Sequence, residues 1–439
     1  MMLSGWGRYP QQECVLKTPR SEADLRALLS KGPLIARGNG RSYGDSAQNE
    51  NATVDMRRFN RMLAFDSAAG QLIVEAGVLL KDIINCLLPR GWFPYVTPGT
   101  KLVTIGGMVA ADVHGKNHHR DGSFGEFVDW IDLLCGDGEV RRCSRTQNAE
   151  LFAWTLGGMG LTGVVLRVAF RLRAVESGWI RQAILPAPDL GVAMRLFEEH
   201  ASATYSVAWL DCLATGAGLG RSLIMLGEHA RVEELPEDRR RAPFRTPLRK
   251  VRNVPFDAPS ATLNRFTVKG FNAAYYFRNA RRGTQLVDWD SYFYPLDALA
   301  EWNRIYGSRG LLQFQCALPL ASARAGLTEL LRIIARSGQG SFLAVLKRLG
   351  PAREDSLSFP LEGYTLALDF PVSERTLALM EVLDALAVAH GGRIYLAKDG
   401  RMGAETLRAS DPRVPDFLAA RQHFRTSRFQ SSQSERLKL

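Results

Sequence analysis

Residues 111–125, ADVHGKNHHRDGSFG, gather three histidines, a lysine and an arginine on a backbone loosened by three glycines. Such side chains on so pliable a chain serve a metal ion, a phosphate group or the floor of a cofactor pocket. A metal fits worst. His118 and His119 are neighbours, so in an extended chain they point to opposite sides and cannot easily share an ion. No histidine–carboxylate set at helical spacing accompanies them. The six cysteines (Cys14, Cys86, Cys135, Cys143, Cys212, Cys316) are scattered without a CxxC pair, which argues against zinc ribbons and thioredoxin-type redox chemistry. No metal is expected.

Glycine clusters offer a second chemistry. ARGNGRSYGD carries Gly38, Gly40 and Gly44 after the apolar run PLIA. Glycines let successive backbone N–H groups turn into one concavity that cradles an anion. Arg37, Arg41 and Ser42 add donors; a tight turn between strands is the alternative. A second stretch, TPGTKLVTIGG, places Pro98-Gly99-Thr100 and Gly106-Gly107 ahead of the histidine segment. Two such nests about sixty residues apart suit a long ligand with two phosphates. GGMGLTG contains Gly158-x-Gly160-x-x-Gly163, the dinucleotide fingerprint. That motif needs a strand before it and a helix after it. Here a helical pattern precedes and the β-branched run VVLRVAF follows, so a Rossmann nicotinamide site is not expected.

These loops must hang on regular elements. PRSEADLRALLS opens a helix with a capping box, Ser21 with Asp24. Strand, turn, strand and a helix over about 79–88 follow in ATVDMRRFNRMLAFDSAAGQLIVEAGVLLKDIINCLL. DWIDLLCGDGEVRRCS reads as a hairpin around Gly136-Asp137-Gly138. From about Gly178 the texture changes to strand-like segments (TYSVAWLDCL, SLIMLGE, GLLQFQCALPL, SFLAVLKRLG, GYTLALDFPV). Helices PLDALAEWNRIYG, ASARAGLTELLRIIARSG and TLALMEVLDALAVAH are interleaved. The expected class is α+β: a first domain over 1–177, a second built on an antiparallel sheet over 178–392, and a tail over 393–439 returning to the first.

The 439 residues are 46% hydrophobic and 23% charged, a globular composition of two or three domains. No run approaches about 18 apolar residues, so no transmembrane helix is expected, and the first residues carry no signal-peptide pattern. Scattered cysteines suit a reducing, cytoplasmic compartment. The net charge of +11 favours anionic partners. Residues 239–252, RRRAPFRTPLRKVR, read either as a solvated loop or as an arm that touches lipid headgroups at an inner membrane. No aromatic–basic interleaving or helix-turn-helix pattern supports a nucleic-acid partner.

RGNGRSYGD, TPGTKLVTIGGMVAADVHGKNHH, GSFGEFVDWIDLL and GGMGLTGVV together resemble the FAD domain of the vanillyl-alcohol-oxidase (PCMH-type) flavoproteins. More narrowly, the chain resembles the decaprenylphosphoryl-ribose oxidase family, the flavoprotein half of a lipid-sugar 2′-epimerase, from SGWGR to IYLAKDGR. The resemblance implies a two-lobed FAD-binding domain with an inserted antiparallel-sheet substrate domain. It implies oxidation of the 2′-hydroxyl of a polyprenyl-phosphoryl-β-D-ribose to a ketone. A short-chain NAD(P)H reductase would then complete epimerisation to the arabinose form used in the cell envelope. The alternative is a flavin oxidase of alditols or aldonolactones.

Carried over by motif, the resemblance assigns FAD to Arg37, Gly38, Asn39, Gly40, Arg41, Ser42, Tyr43 and Gly44. It adds Gly99, Thr104, Ile105, Gly106, Gly107, Ala111, His114, Val165 and Tyr395. The first loop offers Tyr43 where covalent relatives have histidine, so the FAD is expected to be non-covalent. Lys398 matches the family's active-site lysine, with His114 and Lys116 as further catalytic candidates: His114 to orient the alcohol or accept its proton, Lys116 to meet phosphate or the flavin edge. Trp209, Gln313, Gln315, Lys347 and Lys398 would line the substrate. Members from mycobacteria have a cysteine at Ala367, an asparagine at Thr365 and a tyrosine at Phe293, departures that bear on the substrate side alone.

Overall fold

Short apolar runs bounded by glycine, proline and aspartate become the strands of three main sheets in the computed structural model, which describes residues 1–259 and 262–439. Leu16–Lys17, Thr53–Asp55 and Ile35–Arg37 form a small parallel sheet with Thr53–Asp55 at its centre. Helix Glu22–Leu29 crosses over within it. Its capping box is present: the Ser21 hydroxyl accepts from the Asp24 N–H, and the Asp24 carboxylate accepts from the Ser21 N–H, both at 3.1 Å.

A second, antiparallel sheet runs in the order Val140–Ser144, Val128–Leu134, Val164–Ala174, Gln71–Glu75, Met62–Asp66, with Trp92–Pro94 also paired to Val164–Ala174. Its first two strands are the hairpin, Val140 opposite Leu134. At GGMGLTG, helix Ala149–Thr155 precedes and strand Val164–Ala174 follows. No helix N-terminus therefore stands after that glycine turn to meet a pyrophosphate.

Trp179–Ala187 belongs to an eight-stranded antiparallel sheet. The order is Thr284–Asp288, Trp179–Ala187, Ser222–His229, Tyr205–Leu210, Ala344–Leu349, Gly363–Pro371, Leu311–Pro319 and Arg393–Ile394. Alternate residues of a strand face opposite sides. Leu312, Phe314, Cys316, Leu346, Leu366 and Leu368 join one core with helices Leu190–Glu199, Leu320–Ser337 and Glu374–Ala389. Their sequence neighbours Gln313, Gln315, Lys347 and Ala367 fall on the opposite face, which no helix of that core covers.

Two local expectations are corrected. PLDALAEWNRIYG is not one helix but two tight turns, Pro295–Ala298 and Trp302–Tyr306. Between them Leu299–Ala300 pairs in parallel with Arg252–Asn253, and Glu301 turns left-handed at φ 53°, so a helical ladder cannot continue. The histidine segment is not extended either, because His118–Asp121 closes one helical turn.

After Arg393–Ile394 the chain returns to the first body, where Leu407, Val414, Phe417 and Leu437 share a core with Phe152 and Ile35. The return is tight. A Cβ on Gly44 would lie 2.0 Å from the Asp399 carbonyl oxygen, so only glycine fits there. Arg436 locks it, donating to buried Asp45 at 2.7 and 3.1 Å and to buried Asp399 at 2.9 Å. Among the described residues no helix is long and apolar enough to cross a membrane, and all six cysteines are free.

Removing one partner of a buried ion pair costs about 3–5 kcal/mol, because the other charge is stranded. Arg436→Met leaves two buried carboxylates and is expected to lower the unfolding free energy in urea by about that amount. A loss of about 1 kcal/mol or less, the size of a surface pair, would contradict the lock.

Candidate active site

The uncovered face of the eight-stranded sheet and the glycine loops of the first body enclose a cavity of about 1310 Å³. Pockets for one small ligand run to about 300–1000 Å³, so this one has room for two. The first body contributes residues 37–44, Gly99, Thr104, Gly106, Gly107, Ala111, His114, Lys116 and Val165. The sheet contributes Trp209, Gln313, Gln315, Lys347 and Ala367, and the tail Tyr395 and Lys398. Ile105 is the exception among the expected residues. As the first residue of helix Ile105–Ala110 it buries its side chain in the core and gives its N–H to the Val78 carbonyl at 2.9 Å.

The two glycine loops meet. Asn39 donates to the Leu102 carbonyl at 2.7 Å, and a Cβ on Gly38 would lie 2.2 Å from the Thr104 hydroxyl. Arg37 borders the cavity and spends two of its N–H groups on the protein itself. Its guanidinium is committed to the carbonyls of Ser4 at 2.6 Å and Ala47 at 3.2 Å, and Gly40, left-handed at φ 62°, closes against it. Arg41 has a donor left over: it stacks 4.2 Å above the Trp6 ring, and its Nε is buried without a partner among the described residues.

Facing these loops are three amines. Burial pushes Lys347 down to about 8. Burial, then repulsion from Lys347, pushes Lys116 down to about 7. Lys398 is lowered by burial, opposed by Asp369. Its ammonium sits 3.9 Å over the Tyr43 ring, while Lys116 donates to the Tyr292 carbonyl and lies 4.1 Å over that ring. Burial, then Lys347, His118 and Lys398, hold His114 well below its usual range, hence neutral. The Gln315 amide meets His114 Nε2 at 3.3 Å and also donates to Thr365 at 3.2 Å. His114 Nδ1 is buried with no partner among the described residues. Tyr395 stacks on Phe359 at 4.4 Å and gives its hydroxyl to the Ala111 carbonyl at 3.3 Å.

Of the histidine segment, Ala111, Val113, His114, Gly115 and Lys116 border the cavity. His118 and His119 do not. His118 Nδ1 accepts from the Gly350 N–H at 3.0 Å, and His119 lies 2.8 Å from the Ala203 carbonyl, so both fasten the first body to the sheet. Among the described residues no cluster of three His, Cys, Asp or Glu could hold a metal. Phe293 packs against Tyr205, Tyr292 and Phe93 and borders the cavity beside Lys116. Asp369 was missed: it is buried off the cavity wall, raised by burial, and accepts from the Gln313 amide at 2.5 Å. Strand alternation carries the signal, since Thr365, Ala367 and Asp369 share a face and Asp369 pairs in register with Gln313.

The basic arm covers part of this cavity. Trp289 Nε1 donates to Thr246 at 3.2 Å, and Arg249 donates to the carbonyls of Asp290, Tyr294 and Pro295. Leu248 between them is 98% exposed.

Residues 15–144 match the FAD binding domain family. Over 95% of its length the chain is 36% identical to decaprenylphosphoryl-beta-D-ribose oxidase of Mycolicibacterium smegmatis, covering 93% of that protein. The chain belongs to the decaprenylphosphoryl-β-D-ribose oxidase family. It is an FAD-dependent oxidoreductase of the PCMH-type superfamily. An uncharacterised Streptomyces coelicolor protein is 33% identical over 78% of the chain. L-gulonolactone oxidase of Mus musculus is 31% identical over only 30% of each chain. The residues present fit FAD: Gly38, Gly40, Gly44, Gly99, Gly106 and Gly107 leave backbone bare along the cavity, and the unpartnered Arg41 Nε and His114 Nδ1 belong to residues that border the same space. Among the described residues no cysteine borders the cavity.

Gly38→Val would push a branched side chain into Thr104. The variant is expected to purify with most of its yellow flavin band lost at unchanged far-ultraviolet circular dichroism. Full flavin content would contradict a cofactor seated on this loop.

Proposed function

We propose that this enzyme oxidises the 2′-hydroxyl of a polyprenyl-phosphoryl-β-D-ribose to the 2′-ketone, holding FAD without a covalent bond. The carrying observation is the cavity's charge. Lys116, Lys347 and Lys398 share one space, and of the three only Lys398 is opposed by a carboxylate, since Asp290 and Asp297 on the cavity wall are engaged by Lys101. Buried cations without counter-charge are costly. A phosphate diester supplies that counter-charge, whereas an alditol or aldonolactone, being neutral, would leave it missing.

The chemistry FAD supplies when bound is acceptance of a hydride from ribose C2. The protein orients the carbon and handles charge. Lys347 on the sheet binds the phosphate. Gln313 and Gln315, on one face of one strand, hold sugar hydroxyls, and Trp209 walls the ring. His114, neutral, positions the 2′-hydroxyl through its unpartnered Nδ1. The Nζ of Lys116, pushed to about 7, is the amine most often free at neutral pH to take the hydroxyl proton. Lys398, held over Tyr43, supplies a fixed positive charge where the cofactor loop meets the substrate wall. A short-chain NAD(P)H-dependent reductase would return the ketone to the epimeric alcohol. The enzyme would work at the cytoplasmic side of the inner membrane, its basic arm against lipid headgroups.

Anaerobic addition of a polyprenyl-phosphoribose is expected to bleach the flavin, while free alditols and lactones leave it yellow; the reverse pattern would establish the sugar-alcohol alternative. Lys347→Met should raise KM for the lipid phosphate at least about tenfold, as befits loss of a charge-assisted contact worth about 1.5–3 kcal/mol, with smaller effect on kcat. Lys116→Met should lose about 10²–10⁴-fold in kcat. Lys116 must be neutral and Lys347 charged, so kcat/KM should rise as pH passes about 7 and fall as it passes about 8. A profile flat from pH 6 to 9 would contradict both roles.

A further inference from the structure

Helix Arg265–Asn279 is turned inside out. Its inner face carries Val268, Asn272, Tyr276 and Asn279, all buried, with the Asn272 amide donating to Asp211 at 2.9 Å. Phe266, Phe271 and Phe277 are on the water side, Phe266 at 78% and Phe277 at 60% exposure. At 100° per residue Phe266 and Phe277 stand on one line of the helix. A globular helix buries phenylalanines and exposes asparagines, and contiguous exposed apolar surface marks an interaction site.

The flanks say what covers it. From residue 264 to 283 there are five cations (Arg265, Lys269, Arg278, Arg281, Arg282) and no Asp or Glu; residues 239–252 add seven cations and again no acid. Phenylalanine on one side with lysine and arginine around it is the make-up of a helix lying in a lipid interface, drawn by anionic headgroups. The surface is continuous with the active-site cavity. Phe271 stacks on Tyr275 at 5.9 Å and Tyr275 packs on Trp209 at 4.7 Å. Tyr275, Arg282 and the arm residue Leu248 all border the cavity.

We propose that helix Arg265–Asn279, with the arm tip at Leu248, is a docking surface for an anionic lipid bilayer. The cavity mouth then opens at the membrane, so a lipid-linked substrate reaches the sugar site without leaving the bilayer. This last step rests on the substrate reading above; the docking surface does not.

The test uses the full-length FAD-loaded enzyme, with phosphatidylglycerol and phosphatidylcholine vesicles in co-sedimentation. Wild type is expected to bind the anionic vesicles and to release with salt. The Phe266→Ser/Phe271→Ser/Phe277→Ser variant should bind at least about tenfold more weakly, and Lys269→Glu/Arg278→Glu/Arg281→Glu should do the same. Flavin content and thermal midpoint verify that each variant is folded. Both variants should oxidise a short-chain, water-soluble phosphoribose at the wild-type rate. Vesicle binding that is absent in wild type, or unchanged in both folded variants, overturns the proposal. So does a serine variant that keeps vesicle binding and instead loses self-association, since the occupant is then a second copy of the chain. If vesicle binding falls as expected while no protein oxidises the soluble phosphoribose, the substrate reading fails and the docking surface stands.

Discussion

An amine taken out of water holds its proton less firmly unless an anion stands beside it, and three of the amines that border this cavity, Lys116, Lys347 and Lys398, have between them a single buried carboxylate, acting on Lys398. Alone, that arrangement is electrostatically unfinished. Burial depresses all three lysines and His114, and repulsion from Lys347 adds to it at Lys116, Lys398 and His114. The arrangement also makes the space selective, because a neutral ligand leaves the repulsion in place and an anion removes it. The proposed catalytic assignments descend from this constraint: the charge on Lys347, uncompensated by any carboxylate, helps to hold Lys116 near neutrality and the His114 imidazole uncharged.

The fold exists to bring these groups together from distant parts of the chain. Lys116 comes from the first body, Lys347 from the middle of the eight-stranded sheet, and Lys398 from the tail that leaves that sheet at Arg393–Ile394. The tail reaches its place because Gly44 lets the backbone of Asp399 approach and Arg436 pins Asp399 to Asp45. The same contact carries Lys398 onto the ring of Tyr43, in the loop fitted to FAD. Cofactor loop and substrate wall are thus joined at one lysine.

Much of this was legible in the residues. Glycine loops have a backbone purpose that does not depend on tertiary context, and the alternation in LLQFQCALP by itself puts Gln313 and Gln315 on a common face. The failures have a common cause: each turned on what lies across a contact. His118 and His119 look functional until Gly350 and Ala203 are seen to engage them. Arg37 reads as a phosphate donor alone, whereas two of its N–H groups also brace the carbonyls of Ser4 and Ala47. Asp369 could have been found by extending the alternation through Thr365 and Ala367. Helix Arg265–Asn279 could not, since its apolar residues face outward and the rule that apolar means inside reads it backwards.

The central claim is that no carboxylate compensates Lys116 and Lys347 and that the substrate's phosphate does so. Calorimetric titration of a short-chain alkyl phosphoryl-2-deoxyribose, which lacks the hydroxyl that would be oxidised, into the oxidised enzyme, in buffers of differing ionisation enthalpy, measures this directly, because a phosphodiester has no proton of its own to exchange. Binding is predicted to draw protons onto the enzyme, about half a proton or more at pH 8, with uptake growing from pH 7 to 8 and shrinking in Lys347→Met. Binding with no proton uptake, or with release, would mean that the lysines are already compensated and would contradict the account.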